Sequence, residues 1–154
     1  MVCDASANNP SLNDCLHKGD NLVPLMLDVL IRFRAYKVAL VSDIKKAFLN
    51  VAVQEKDRNF LRILWLDDIH KPSPQIVVNR FARVIFGMNA SLFLLVVTVW
   101  KHLQKYKDLE PELVAYILRC LYVDDHVGGQ DDVQDALRLY KRLKQVFAEA
   151  GFDL

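Results

Sequence analysis

An α+β fold, with an antiparallel sheet covered by helices on one face, is what this sequence predicts, on three observations. Short β-branched runs are interleaved with longer segments whose apolar residues recur at helical spacing. The 5 prolines and 5 glycines sit singly between those segments, so neither a linker nor a repeat is visible. Finally, 154 residues, 53% of them hydrophobic, suffice for one core. A chain of that size buries roughly 68–70% of its unfolded surface.

Taken in order, residues 1–20 are rich in Asn, Asp and Ser and read as loop. Asp20 or Asn21 is placed to cap a helix from about Leu22 to Ala35, with Pro24 tolerated in its first turn. That segment is apolar nearly all round, from Leu25, Met26 and Leu27 through Val29, Leu30, Ile31 and Phe33, which predicts a core helix. Arg32, Arg34 and Lys37 suit the negative end of its dipole. Lys37 to Asp43 is β-branched and apolar with a single terminal carboxylate, the pattern of a central strand buried on both faces.

Arg58 to Leu66 and Gln75 to Val84 read as two further strands joined through Pro72 and Pro74. Met88 to Tyr106 carries a helical pattern, and Glu110 to about Leu118 a shorter one. Cys120 to Val123, Asp124-Asp125 and His126 to Gly129 predict a tight hairpin with acids at its tip. Asp131 or Asp132 then caps a final helix, whose Val133, Ala136, Leu137, Tyr140, Leu143, Phe147 and Ala150 follow 3-4 spacing until Gly151 stops it.

Composition excludes several classes. The longest apolar stretch, Leu92 to Trp100, is nine residues including Thr98, where a membrane span needs about 20. No basic segment leads into an apolar run at the N-terminus, so no secretory signal is expected. Cys3, Cys15 and Cys120 are odd in number and lack C-x-x-C spacing, which argues against a disulfide framework or zinc site and for a reducing, intracellular compartment. The balance of 20 basic and 19 acidic residues, 20 − 19 = +1, lacks the basic excess of a nucleic-acid-binding domain. A polyanion therefore needs local patches or further polypeptide. Lys101, Lys105 and Lys107 form one patch and Arg138, Lys141, Arg142 and Lys144 another, both in the pattern of a solvated helix face.

The carboxylates carry the chemistry. Asp43 ends one predicted strand, and Asp124 and Asp125 tip a hairpin that can pair beside it. Two unit charges 4 Å apart repel by about 1 kcal/mol in water and about 4 kcal/mol at an effective dielectric of 20. Such a cluster needs a raised pKa or bound cations, and hard divalent ions prefer carboxylate oxygen. Spacing alone leaves two readings open for each acid: Asp124-Asp125 as turn residues or metal ligands, and Asp43 as a ligand or the cap of a helix over Ile44 to Phe48.

Three motifs bear on the choice. Tyr122-Val123-Asp124-Asp125 resembles the YxDD signature of reverse transcriptases. Asp43-Ile44-Lys45-Lys46-Ala47-Phe48 resembles their D-x-x-x-A-F/Y motif. Arg80-Phe81-Ala82-Arg83-Val84-Ile85-Phe86-Gly87-Met88-Asn89-Ala90-Ser91, between them, resembles R-F-x-x-x-P-F-G-x-x-x-S-P. Flanking stretches at Ser11 to Leu16, Tyr36 to Leu40 and Ala148 to Phe152 are similar to the Pao/BEL class of retrotransposon polymerases. The likeness covers nearly the whole chain and keeps the family's motif order.

The resemblance implies an RNA-directed DNA polymerase: a palm-like antiparallel sheet with helices on one face plus partial fingers, residues 1–154 being a fragment without the upstream finger strands, thumb and RNase H. It implies two Mg²⁺ ions, with Mn²⁺ as an alternative, on Asp43, Asp124 and Asp125 and the carbonyl of Ile44. Ala47, Phe48, Phe86 and Gly87 are expected at the nucleotide, Phe48 as steric gate, and Tyr122 and Val123 near the primer end. Lys45 and Lys46 are either template or triphosphate contacts or surface lysines. Partners implied are an RNA or DNA template-primer, dNTPs and the remainder of a Pol polyprotein, in the cytoplasm or a retrotransposon particle. Ile85 and Leu92 stand where the family has Pro, Asp20 replaces the Pro of K-G-P, and His126 replaces an apolar residue and is expected at the surface or perturbing the hairpin. These departures keep two further readings in view: a non-catalytic remnant, and a module that binds nucleic acid through its sheet without chemistry.

Overall fold

The computed structural model describes residues 5–7 and 9–154; the expectations for Cys3 and the first four residues lie outside them. The chain is α+β, with a three-stranded and a two-stranded antiparallel sheet. A helix interrupts the expected N-terminal loop: α1, Leu12–Cys15, starts at a capping box in which Ser11 and Asp14 each bond the other's backbone N–H. Helix α2, Met26–Ala35, begins at Leu25 without a side-chain cap. Neither Asp20 nor Asn21 caps it, and Pro24 precedes it. Nor is it a core helix: Val29 is its one buried residue, while Leu25, Met26, Leu27, Leu30 and Ile31 are exposed. An all-apolar pattern says that a helix wants cover, not that cover is present.

Strand β1, Val38–Asp43, pairs antiparallel with β5, Asp125–Gln130, which in turn pairs with the short β4, Leu121–Tyr122. The order β1-β5-β4 makes β1 an edge strand, contrary to the expected central position. It is not buried on both faces either. Val38, Leu40 and Ser42 are half-buried, and Ala39, Val41 and Asp43 are exposed. His126 and Gly128 of β5 are buried on the covered side.

Helices supply the cover. They are α3 (Ala47–Asn50), α4 (Ser91–Leu103), α5 (Pro111–Cys120) and α6 (Val133–Glu149). α5 packs on β5, and α6 on β1 and β5. Ile44, Leu95, Val99, Leu103, Ile117, Leu143 and Phe147 interlock between them. Asp132 caps α6 by accepting from the Gln134 and Asp135 N–H groups. After Gly151 the chain turns back, setting the Phe152 ring 6.4 Å from that of Phe147.

The two remaining strands are shorter than expected, β2 being Arg62–Leu66 and β3 Ile76–Arg80. Glu55–Phe60 is 3₁₀ helix. Among the described residues no helix is long and apolar enough to cross a membrane, and Cys15 and Cys120 are free thiols, exposed and buried respectively.

Candidate active site

Asp43 closes β1 directly opposite Asp125, the first residue of β5. The Ile44 N–H donates to the Asp124 carbonyl at 2.8 Å. Residues 44 and 124 are therefore a hydrogen-bonded pair, and 43 and 125 are the narrow pair beside it. In such a pair the Cα atoms are about 4.5 Å apart and both side chains stand on one face. Both aspartates are exposed on the open face of the sheet.

Val123 and Asp124 form the two-residue turn between Tyr122 and Asp125, which are themselves cross-strand partners. Val123 takes φ 58, left-handed backbone that a β-branched residue adopts at a cost of about 1–3 kcal/mol. Pairing on both sides of the tip holds it there. The turn after Asp43 is stitched a second time from the end of the chain, where the Asp153 carbonyl accepts from the Lys45 N–H at 2.8 Å. The Lys45 ammonium lies 3.8 Å from the Asp153 carboxylate. Lys46 takes φ 55 and heads α3; Asp43 does not cap that helix.

Partial burial, then the negative charges of Asp124 and Asp43, hold the Asp125 carboxyl above the usual carboxylate range. Three acids from two distant parts of the chain thus share one electrostatic neighbourhood. Among the described residues no three His, Cys, Asp or Glu side chains are grouped so as to hold a metal ion. The donors that suit a hard cation are the facing Asp43 and Asp125 with Asp124 beside them. Mg²⁺ characteristically takes one or two carboxylates and completes its shell with phosphate and water. The Ile44 carbonyl already accepts from the Ala47 N–H at 3.1 Å, leaving it one lone pair, and the Ile44 side chain is core.

The residues expected at a nucleotide are also brought together. Ala47 and Phe48 are buried in the main core, and the Phe48 ring meets that of Phe86 edge-on, centroids 4.7 Å apart. Phe86 is 61% exposed, so it is Phe86 that presents an aromatic surface to solvent. Gly87 takes φ 91, open to glycine without penalty. Ile85 is buried, and its carbonyl accepts from the Ser91 hydroxyl at 2.7 Å, which closes the loop.

Three residues of the α6 basic patch already have partners. Arg142 makes two hydrogen bonds to Glu110, at 3.0 and 2.5 Å, Arg138 pairs with Asp135, and Lys144 lies over the Tyr140 ring.

Asn13 escapes a reading of the sequence, and His126 is placed differently from its expected surface position. His126 is not at the surface. It is 1% exposed, lies opposite Ser42 and Leu121 beneath the acid pair, and neither ring nitrogen has a hydrogen-bond partner. Asn13 of α1 ties down the Phe86–Asn89 loop from 74 and 76 positions away. Its amide donates to the Gly87 carbonyl at 2.9 Å, its side-chain oxygen accepts from the Asn89 N–H at 2.8 Å, and its carbonyl accepts from the Asn89 side chain at 2.8 Å. No local periodicity marks either residue. We expect Asn13→Ala to speed amide exchange at residues 86–89 by about tenfold, equivalent to about 1.4 kcal/mol, one net hydrogen bond. Unchanged exchange there would mean that the loop holds its own shape.

Compared with known proteins, the chain matches no family model and no curated protein.

Proposed function

We propose that this chain is the palm and part of the fingers of an RNA-directed DNA polymerase, a reverse transcriptase of Pao/BEL type. The observation that carries the reading is the facing of Asp43 and Asp125 across β1 and β5 beside the strained Val123–Asp124 turn. The motif resemblance aligns the same three acids, and their mutual repulsion asks for a cation. Asp43, Asp124 and Asp125 would hold Mg²⁺ or Mn²⁺, with the Ile44 carbonyl as a further donor. When bound, two such ions supply charge stabilisation at the attacking and leaving oxygens of a phosphoryl transfer.

The chain's own residues do the rest. Phe86, backed edge-on by Phe48 and latched by Asn13, offers a surface to a nucleotide at the loop that carries Gly87. Tyr122 and Val123 flank the acids on the side where a primer end is expected. Ala39 and Val41, exposed on the face of β1 that also carries Asp43, are where a duplex is expected to lie.

Mn²⁺ titration followed by NMR tests the site. Paramagnetic broadening is expected first at the amides of 43–44 and 123–126, and Asp43→Asn or Asp124→Asn should remove it. Broadening centred elsewhere would end the proposal. Primer extension on an RNA template, lost on Asp124→Asn, then separates an active polymerase from a non-catalytic remnant. To the departures at Ile85 and Leu92 that motivate the remnant reading is added a buried histidine without partners under the acid pair, which weakens the hairpin that the chemistry needs.

A further inference from the structure

Away from the acids, β2 and β3 form a two-stranded ribbon that has no third strand among the described residues. A lone hairpin is marginal in water; three strands or a packed helix are the usual remedy. Here Leu64, Leu66, Ile76 and Val78 share one face, and all four are exposed, Leu64 by 70%. Trp65 and Ile69, also exposed, extend the apolar surface around a concavity of about 360 Å³.

The hydrogen-bond register shows which backbone groups are free. The Phe81 N–H donates to the Leu61 carbonyl, and the Asp67 N–H to the Gln75 carbonyl. The odd-numbered residues of β2 are therefore the hydrogen-bonded ones, and the N–H and C=O groups of Arg62, Leu64 and Leu66 point away from β3. Exposed edges are usually blunted by charge or proline. On the β3 side Pro72 and Pro74 stand just before the strand. From Ile63 to Leu66 the β2 edge carries neither a charge nor a proline.

We propose that the β2 edge pairs antiparallel with the β2 edge of a second copy of this chain, about a two-fold axis near Leu64, making a continuous four-stranded sheet. Self-complementarity and charge both favour that occupant. Leu64 meets Leu64 of the copy, Arg62 meets Leu66, and each Arg62 is carried toward Asp68 of the other chain, Asp67 being paired with Lys71. A parallel pairing would set Arg62 against Arg62, an unfavourable confrontation of like charges. The area involved is roughly a few hundred Å² per copy, below the roughly 800 Å² per partner of a standard stable complex. The dimer is accordingly weak and dissociates on dilution.

Sedimentation equilibrium of the whole chain from about 1 to 300 μM tests this. The weight-average mass should rise from 17.7 kDa and level at twice that value. Leu64→Pro removes the central edge donor, and Leu64→Lys adds charge there; each should weaken association at least tenfold. Val78→Lys, on the same face but on β3, should weaken it much less. Far-UV circular dichroism confirms that each variant is folded. A monomer at the highest concentration, mass that grows past the dimer, or equal effects of the Leu64 and Val78 variants would each overturn the proposal.

Discussion

Gly129→Ala is expected to cost about 1–3 kcal/mol of stability, read as a lower urea midpoint at unchanged slope. A Cβ at Gly129 would lie 2.4 Å from the Val38 carbonyl oxygen and 2.7 Å from the Tyr36 Cβ. The first of these is backbone, so no rotamer relieves it; β1 must move off β5. The same residue is gripped from the other side, its N–H donating to the Tyr116 hydroxyl at 2.9 Å. Movement strains that buried bond too. Because Asp43 and Asp125 are joined only through the β1–β5 register, the effect reaches the site: the Asp125 carboxyl should titrate closer to its ordinary value as Asp43 withdraws. A loss under about 1 kcal/mol would show that the strands yield cheaply, and that the facing of the acids is loosely held.

The second large effect is a pH dependence centred on His126. Burial pushes its pKa down to about 4, from an ordinary value of 6.5. The sign follows from proton uptake. Between pH 6.5 and about 4 the unfolded chain binds a proton at this ring and the folded chain does not. Stability is therefore complete above pH 6.5 and falls as the pH is lowered through that window. The loss is about 3 kcal/mol at about 1.4 kcal/mol per pH unit. Asp125 opposes it: its folded carboxyl takes a proton more readily than its unfolded one, so it adds stability as pH falls. Comparing the wild-type chain with His126→Leu removes that shared contribution.

The Leu variant should lose the His-dependent slope. It should also gain about 1–3 kcal/mol at neutral pH, because two partnerless ring nitrogens give way to apolar surface against Tyr116. Coincident stability curves for the two proteins from pH 7 to 4 would refute this account.

Much of the local structure is legible in the residues. The Asp132 cap, the 3-4 spacing of α6 and its stop at Gly151 are as the pattern predicts, because each depends on neighbours within a turn. The hairpin with Asp124-Asp125 is legible for the same reason, though its turn sits one residue early, at Val123–Asp124. What the pattern misjudges is cover. The runs Leu25 to Ile31 and Val38 to Val41 look like core, yet both are exposed on at least one face. Apolar character states a preference for burial, and only the arrangement of the other elements decides whether it is met.

By itself, then, the sequence determined the α+β class and the longer elements, which follow from local backbone preference and side-chain type. The three acids and the aromatic at position 86 it offered only through the motif resemblance. Tertiary structure alone decided that Asp43 faces Asp125 in a narrow pair, that β1 lies at the sheet edge, that Asn13 holds a loop more than 70 residues away and that His126 is sealed inside without a partner. Each of these depends on which strands and loops come together, and that is set by the packing of the whole chain.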